Sequence, residues 1–191
     1  MRSAPIAGLT SPRTLVAALG DSITEGSPGL AGWDKWAARA DETLEIRNCG
    51  IYGQRTDEIA ARLEECARGA EVLVVQGGIN DIAQGRDVVQ AAANLRAMVR
   101  RGKELGLRVA LCDVLPWNNG WPDAEPEIRR LNALIAEIAQ TEDVALLPFH
   151  DTLEDPNRPG RMREEWTFEG DHPNEDGYRR LAEVAFPKAR V

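Results

Sequence analysis

Histidine is scarce in this sequence, with two residues in 191, and cysteine is nearly as scarce, with three. No HExxH or CxxC pair occurs, which leaves few recognisable metal ligands, and neither a metal nor another cofactor is expected. The glycine-bearing segment GDSITEG lacks both the GxGxxG spacing and the Gly-Lys-Ser/Thr ending of phosphate-cradling loops. No apolar run approaches the roughly 20 residues that span a bilayer, so no membrane span is expected. Basic residues are outnumbered, 23 against 31 acidic, for a net charge of −8. They are also scattered, which argues against a nucleic-acid partner. Cys49, Cys66 and Cys112 are odd in number and widely spaced, and read as reduced, buried thiols. The apolar stretch near the N-terminus is broken by Pro5, Pro12 and Arg13 and lacks a continuous signal-peptide core. A cytoplasmic protein is the expectation.

What is present is ordinary globular material, 43% hydrophobic and 28% charged. The length fits one domain over residues 1–191. Short apolar runs recur at 14–19, 44–49, 72–76, 107–115 and 144–149, and most are nearly unbroken, as in strands buried on both faces of a parallel sheet. Amphipathic stretches lie between them. Residues 87–105 carry apolar positions at helical spacing, with Asp87 as cap and Gly106 past the end. The segment 125–140 repeats that pattern, and Thr56 starts a further helix that Gly69 stops. Five β–α units without a linker predict a three-layer α/β/α domain, a flavodoxin-like parallel sheet with strand order 2-1-3-4-5. The stretch 148–171 reads as irregular.

Such folds bind ligands beyond the carboxyl ends of their strands. Four polar clusters fall there: GDSITEG with Ser22, GIYGQRT with Gly53, GGIND with Asn80, and PWNNGWP with Trp117 and Trp121. Ser22 alone could be a nucleophile, a helix cap or a wall of a phosphate loop. Gly53 alone could serve a turn, and Asn80 an Asx turn; Asp21 and Asp81 read as loop braces. An alcohol needs a neighbouring base, and only His150 and His172 are available. His172 sits among carboxylates in FEGDHPNEDGY, whereas His150 directly follows the fifth strand with no comparable setting.

Taken in order, GDSIT, Gly53 in NCGIYGQRT, GGIND and DHPNEDGY resemble four blocks of the GDSL/SGNH hydrolase family, spanning residues 15–180. The resemblance implies a serine esterase or lipase that forms an acyl-enzyme. In it Ser22 attacks, His172 carries the proton, and the N–H groups of Ser22 and Gly53 with the Asn80 amide form the oxyanion hole. The family's acid stands three residues before the histidine as aspartate; here that position is Glu169, which is favoured over Asp171 because adjacent side chains diverge. Trp117 and Trp121 are expected to line the substrate site. With no segment long enough for a lid, a shallow site for short acyl esters, acetyl to butyryl, is expected on a small-molecule substrate. A lysophospholipase or thioesterase of the same family, and an inactive ligand-binding module, are the alternatives.

Overall fold

A computed structural model of the chain describes residues 13–27, 29–122 and 124–189. The N-terminal stretch read above lies, through Pro12, outside the described residues. Five strands, β1 (Thr14–Gly20), β2 (Leu44–Gly50), β3 (Val72–Val75), β4 (Arg108–Cys112) and β5 (Ala145–Leu147), form one parallel sheet in the order β2-β1-β3-β4-β5. Each apolar run of the sequence therefore supplies a strand. The strands are short at their ends because a run such as 107–115 continues past the last ladder bond into the loop.

Successive strand residues face opposite sides, and the core divides accordingly. Ala17, Leu19, Leu73, Val75 and Leu111 pack with one set of helices: α3 (Thr56–Ala60), α4 (Leu63–Ala67), α5 (Ile79–Ala83), α6 (Val88–Glu104) and α7 (Ala124–Thr141). Val16, Ala18, Val74, Ala110 and Cys112 pack against α1 (Ser22–Glu25), α2 (Trp33–Ala40), α8 (Phe149–Leu153) and α9 (Glu175–Arg180). This is the expected three-layer sandwich. Asp87 caps α6 by accepting from Val89 N at 2.9 Å, and Gly106 follows with φ +80°. The helix beginning at Thr56 is broken at residues 61–62 into α3 and α4. Three tryptophans belong to packing: Trp33 is fully buried between Phe149 and Phe186, while Trp36 and Trp166 lie under arginine guanidinium groups.

Two sequence readings are corrected. Residues 148–171 are not irregular: they contain α8, a hairpin of β6 (Glu154–Asp155) and β7 (Arg158–Met162), and a 3-10 turn at Glu164–Trp166. The cysteines are not all thiols. Cys49, at the end of β2, is disulfide-bonded to Cys66 in α4, and only Cys112 is free and buried. Sequence spacing could not reveal this, since the pairing depends on α4 folding back beside β2. Disulfides persist in oxidising surroundings, so the cysteines no longer argue for a cytoplasmic location. Among the described residues no helix is long and apolar enough to cross a membrane.

The carboxyl end of β1 leads into a fully buried turn at Asp21. Asp21 caps α1 by accepting from Ile23 N at 2.9 Å, while its other carboxylate oxygen is buried without a partner. Burial pushes this carboxyl up to about 6, against the opposing effect of the Ile23 bond. Because folding disfavours the charged form, the unfolded chain gives up this proton first. The contribution of Asp21 to stability is therefore highest below about pH 4 and falls as pH rises toward about 6. Asp21→Asn keeps the capping oxygen and removes the charge, so the variant's Tm minus that of wild type should become more positive between pH 4 and pH 7.5. A constant difference would contradict the argument. Reducing the disulfide, whose cysteines are 17 positions apart, should cost about 3 kcal/mol by the loop-entropy model, measured as the loss in denaturant stability on adding dithiothreitol.

Candidate functional site

Ser22 opens α1 immediately beyond β1, with 5% of its surface exposed. The turn that presents it is tied down from both neighbouring strands. Asp21 N donates to Gln76 Oε1 at 3.1 Å and Thr24 Oγ1 to the same atom at 2.9 Å, which links α1 to the residue after β3. On the other side Asn48 Nδ2 donates to Thr24 O at 2.6 Å. Gly50 lies so close to the Glu25 backbone that a Cβ there would collide with it, which explains a glycine at the end of β2.

The loop after β2 carries Gly53 at φ +75°. Its start is bonded to β1 through Ile51 N and Gly20 O at 3.1 Å, and its end to Asn80, whose Nδ2 donates to Gln54 O at 3.0 Å. Asn80 thus reaches 26 positions away instead of closing a local Asx turn. One hydrogen of its amide is occupied, and the second remains to donate. Asp81 braces the same region by accepting from Thr56 N at 2.9 Å and Thr56 Oγ1 at 2.8 Å. Burial raises its carboxyl while these two bonds oppose the rise. Arg62, a residue the sequence reading passed over, donates to the carbonyls of Cys49 and Gly20 and to Gln54 Oε1. Nothing in its local sequence signals this, because all three acceptors come from other elements.

His172 arrives from the far end of the chain. Its Nε2 lies 3.1 Å from Ser22 Oγ, and its Nδ1 lies 2.7 Å from Glu169 Oε1. Tyr52, from the Gly53 loop, stacks on the imidazole at 6.0 Å between ring centroids. Asp171 turns elsewhere and accepts from Trp117 Nε1 at 2.7 Å. That bond gives Trp117 a structural task that the sequence reading did not foresee. The loop after β4 grips the histidine loop at further points: Asn118 N donates to Gly170 O at 2.8 Å, and Asn119 Nδ2 to Glu169 O at 2.6 Å. Asn118 also bonds both backbone groups of Met162 in β7. Ser27 Oγ donates to Pro173 O at 3.0 Å, which ties the segment after α1 to the residue following His172.

The structure therefore brings Ser22, His172 and Glu169 into one hydrogen-bonded line, with the Gly53 loop and Asn80 tied to the same strand ends. Trp121 packs edge-on against Trp117 at 5.3 Å. Ile51, Tyr52, Trp121 and Phe168 are the exposed apolar residues of this region, with Tyr52 and Phe168 about two-thirds exposed at 68% and 65%. His150 is elsewhere, buried beside α7 and the hairpin; its acidic neighbours Glu125 and Glu154 are not apparent from its position after β5.

The fold is shared with solved structures. A lipolytic protein of the G-D-S-L family from Desulfitobacterium hafniense superposes with a TM-score of 0.82 at 21% identity, over 92% of this chain and 99% of that one. An acetyl xylan esterase from Geobacillus stearothermophilus superposes with a TM-score of 0.75 at 20% identity, over 94% and 95%. The structure named TesA gives a TM-score of 0.74 at 26% identity, over 92% and 97%. No curated protein sequence matches this one significantly. The model of the GDSL-like lipase/acylhydrolase family matches residues 18–180, from the end of β1 through α9. The chain belongs to the GDSL-like lipase/acylhydrolase family and is a carboxylic ester hydrolase.

Proposed function

We propose that this protein hydrolyses short-chain acyl esters, acetyl esters above all, through a covalent acyl-Ser22 intermediate. The observation that carries the reading is the line Ser22 Oγ, His172 Nε2 at 3.1 Å, His172 Nδ1, Glu169 Oε1 at 2.7 Å. With Nδ1–H donating to Glu169, the Nε2 lone pair faces the serine hydroxyl, the tautomer a general base requires. Ser22 Oγ bonds to the acyl carbon as its proton passes to His172 Nε2. The carbonyl oxygen takes up negative charge and is met by the backbone N–H groups of Ser22 and Gly53 and the free hydrogen of the Asn80 amide. Collapse of this tetrahedral species expels the alcohol, which receives the proton from Nε2. Water then repeats the sequence on the acyl-serine and releases the acid. Asn80 suits its task as a neutral donor that does not titrate.

The preference for short acyl groups rests on the exposure of the site. Ile51, Tyr52, Trp121 and Phe168 stand open to solvent, with Tyr52 against the imidazole and Phe168 bonded through its N–H to His172 O at 3.0 Å. They offer a flat apolar rim, suited to a small acyl group and a bulky alcohol on the surface. The likeness to an acetyl xylan esterase is compatible with such a substrate.

Ser22→Ala should abolish hydrolysis of p-nitrophenyl acetate while leaving the melting temperature near that of wild type. An organophosphate should add one covalent mass to wild type and none to the variant, as read by intact-protein mass spectrometry. Glu169→Ala should lower kcat by on the order of 100- to 10,000-fold. Asp171→Ala, which loses only the Trp117 bond, should cost far less; the reverse ranking would make Asp171 the orienting acid. Across p-nitrophenyl esters kcat/KM should fall beyond butyryl. A steady climb to palmitoyl would reveal a deep acyl channel and favour a lysophospholipase or thioesterase.

A further inference from the structure

At the outer edge of the sheet, next to β5, three potential ligands meet from three elements. Glu125 comes from the first turn of α7, His150 from α8 and Glu154 from β6, and their ligand atoms all lie within 4.8 Å of one another. His150 is 5% exposed, and its Nε2 is buried with no hydrogen-bond partner. Both carboxylate oxygens of Glu125 are likewise buried without a hydrogen bond. Lone pairs converging in this way repel one another unless a positive charge stands between them. Arg129 supplies one from the side, 2.5 Å from Glu125 Oε1 and 3.0 Å from Glu154 Oε1, but the Glu125 contact is an ion pair without hydrogen-bond alignment. It leaves His150 Nε2 and Glu125 Oε2 unanswered. Two further carboxylates stand near His150: Asp151, 3.7 Å from its Nδ1, and Asp113, which accepts from its backbone N at 2.7 Å.

We propose that Glu125, His150 and Glu154 bind one divalent transition-metal ion, with Zn2+ the best match to an imidazole nitrogen and two carboxylate oxygens. The surroundings are shaped for the carboxylates. Gly160, on β7 at φ +82°, sits where a Cβ would run into the Glu125 carboxylate, and its N–H donates to Glu154 Oε1 at 2.6 Å. A larger residue at 160 would push Glu125 out of the cluster. Arg129 then acts as an outer partner, orienting both carboxylates toward the ion. Three protein ligands leave at least one coordination position for water, and none of the three belongs to the line of Ser22, His172 and Glu169. The expected consequence is structural: the ion clamps the β6–β7 hairpin and α8 to the start of α7. That hairpin runs through the 3-10 turn directly into the loop bearing Glu169 and His172.

Protein dialysed against a chelator and then against metal-free buffer is titrated with Zn2+ by calorimetry and with Co2+ by visible absorption, and its melting temperature is followed in parallel. Wild type should bind one equivalent of each, develop d–d bands with Co2+, and melt at a higher temperature with Zn2+ present. His150→Gln and Glu125→Gln should each weaken binding by at least 10-fold. His172→Ala should bind as wild type does, which separates this cluster from the imidazole and carboxylate beside Ser22. Glu125→Gln, on a partly exposed side chain, keeps the test open if replacing the buried histidine prevents folding. Absence of stoichiometric binding would mean that the cluster holds no metal ion. Binding that survives in both glutamine variants, or is lost in His172→Ala, would place the ion elsewhere. Each of these results would overturn the proposal.

Discussion

The 3.1 Å approach of His172 to Ser22 joins residues 150 positions apart in the chain, and a set of polar bonds fixes the two segments that make it. Ser22 is fixed from within, by the parallel ladder of β1 between β2 and β3 and by Asp21 and Gln76. His172 is fixed from outside, by a loop that has no strand beneath it. Its position depends on bonds from the Asn118–Asn119 pair, the Trp117 indole and Ser27. These donors come from the ends of β4 and α1, so the sheet order itself decides whether the imidazole can reach the serine. A hydrogen bond of this kind contributes only about 1 kcal/mol net to stability, which is why several act together on one short loop.

Where local pattern and burial coincide, the sequence was legible. An unbroken apolar run such as Val72–Val75 can hardly be anything but an interior strand, and it is buried throughout. Asp87 and Gly106 bracket α6 because capping and positive φ are chemical demands of single residues. The loops bearing Ser22, Gly53 and Asn80 could be aligned because the fold forces loops that follow parallel strands to one edge. What escaped depends on chain segments meeting late. Cys49 and Cys66 need α4 to fold back on β2, and the break at residues 61–62 that permits it has no glycine or proline to announce it. The acidic neighbours of His150 are not legible from its position after β5, because they stand on α7 and on a hairpin within a stretch that alternates weakly. Trp117 was read for its ring, but its N–H toward Asp171 is what the structure uses.

The β6–β7 hairpin forms a small antiparallel sheet of its own, apart from the five-stranded one. An edge strand exposes unpaired backbone groups and invites association, and β5, with three residues, is short. The 3-10 helix Phe186–Ala189 packs against β5, and where the chain runs on from β5 into α8, Asp113 adds a bond across the turn by accepting from His150 N at 2.7 Å. The hairpin also supplies Met162, through which Asn118 connects it to the histidine loop.

Tyr52 stacks against the His172 ring, while both ring nitrogens are hydrogen-bonded. An imidazole held in this way has given up most of its torsional freedom before any ester arrives. In the proposed reaction, the disorder that a mobile base would have to lose at each turnover is lost once, when the chain folds.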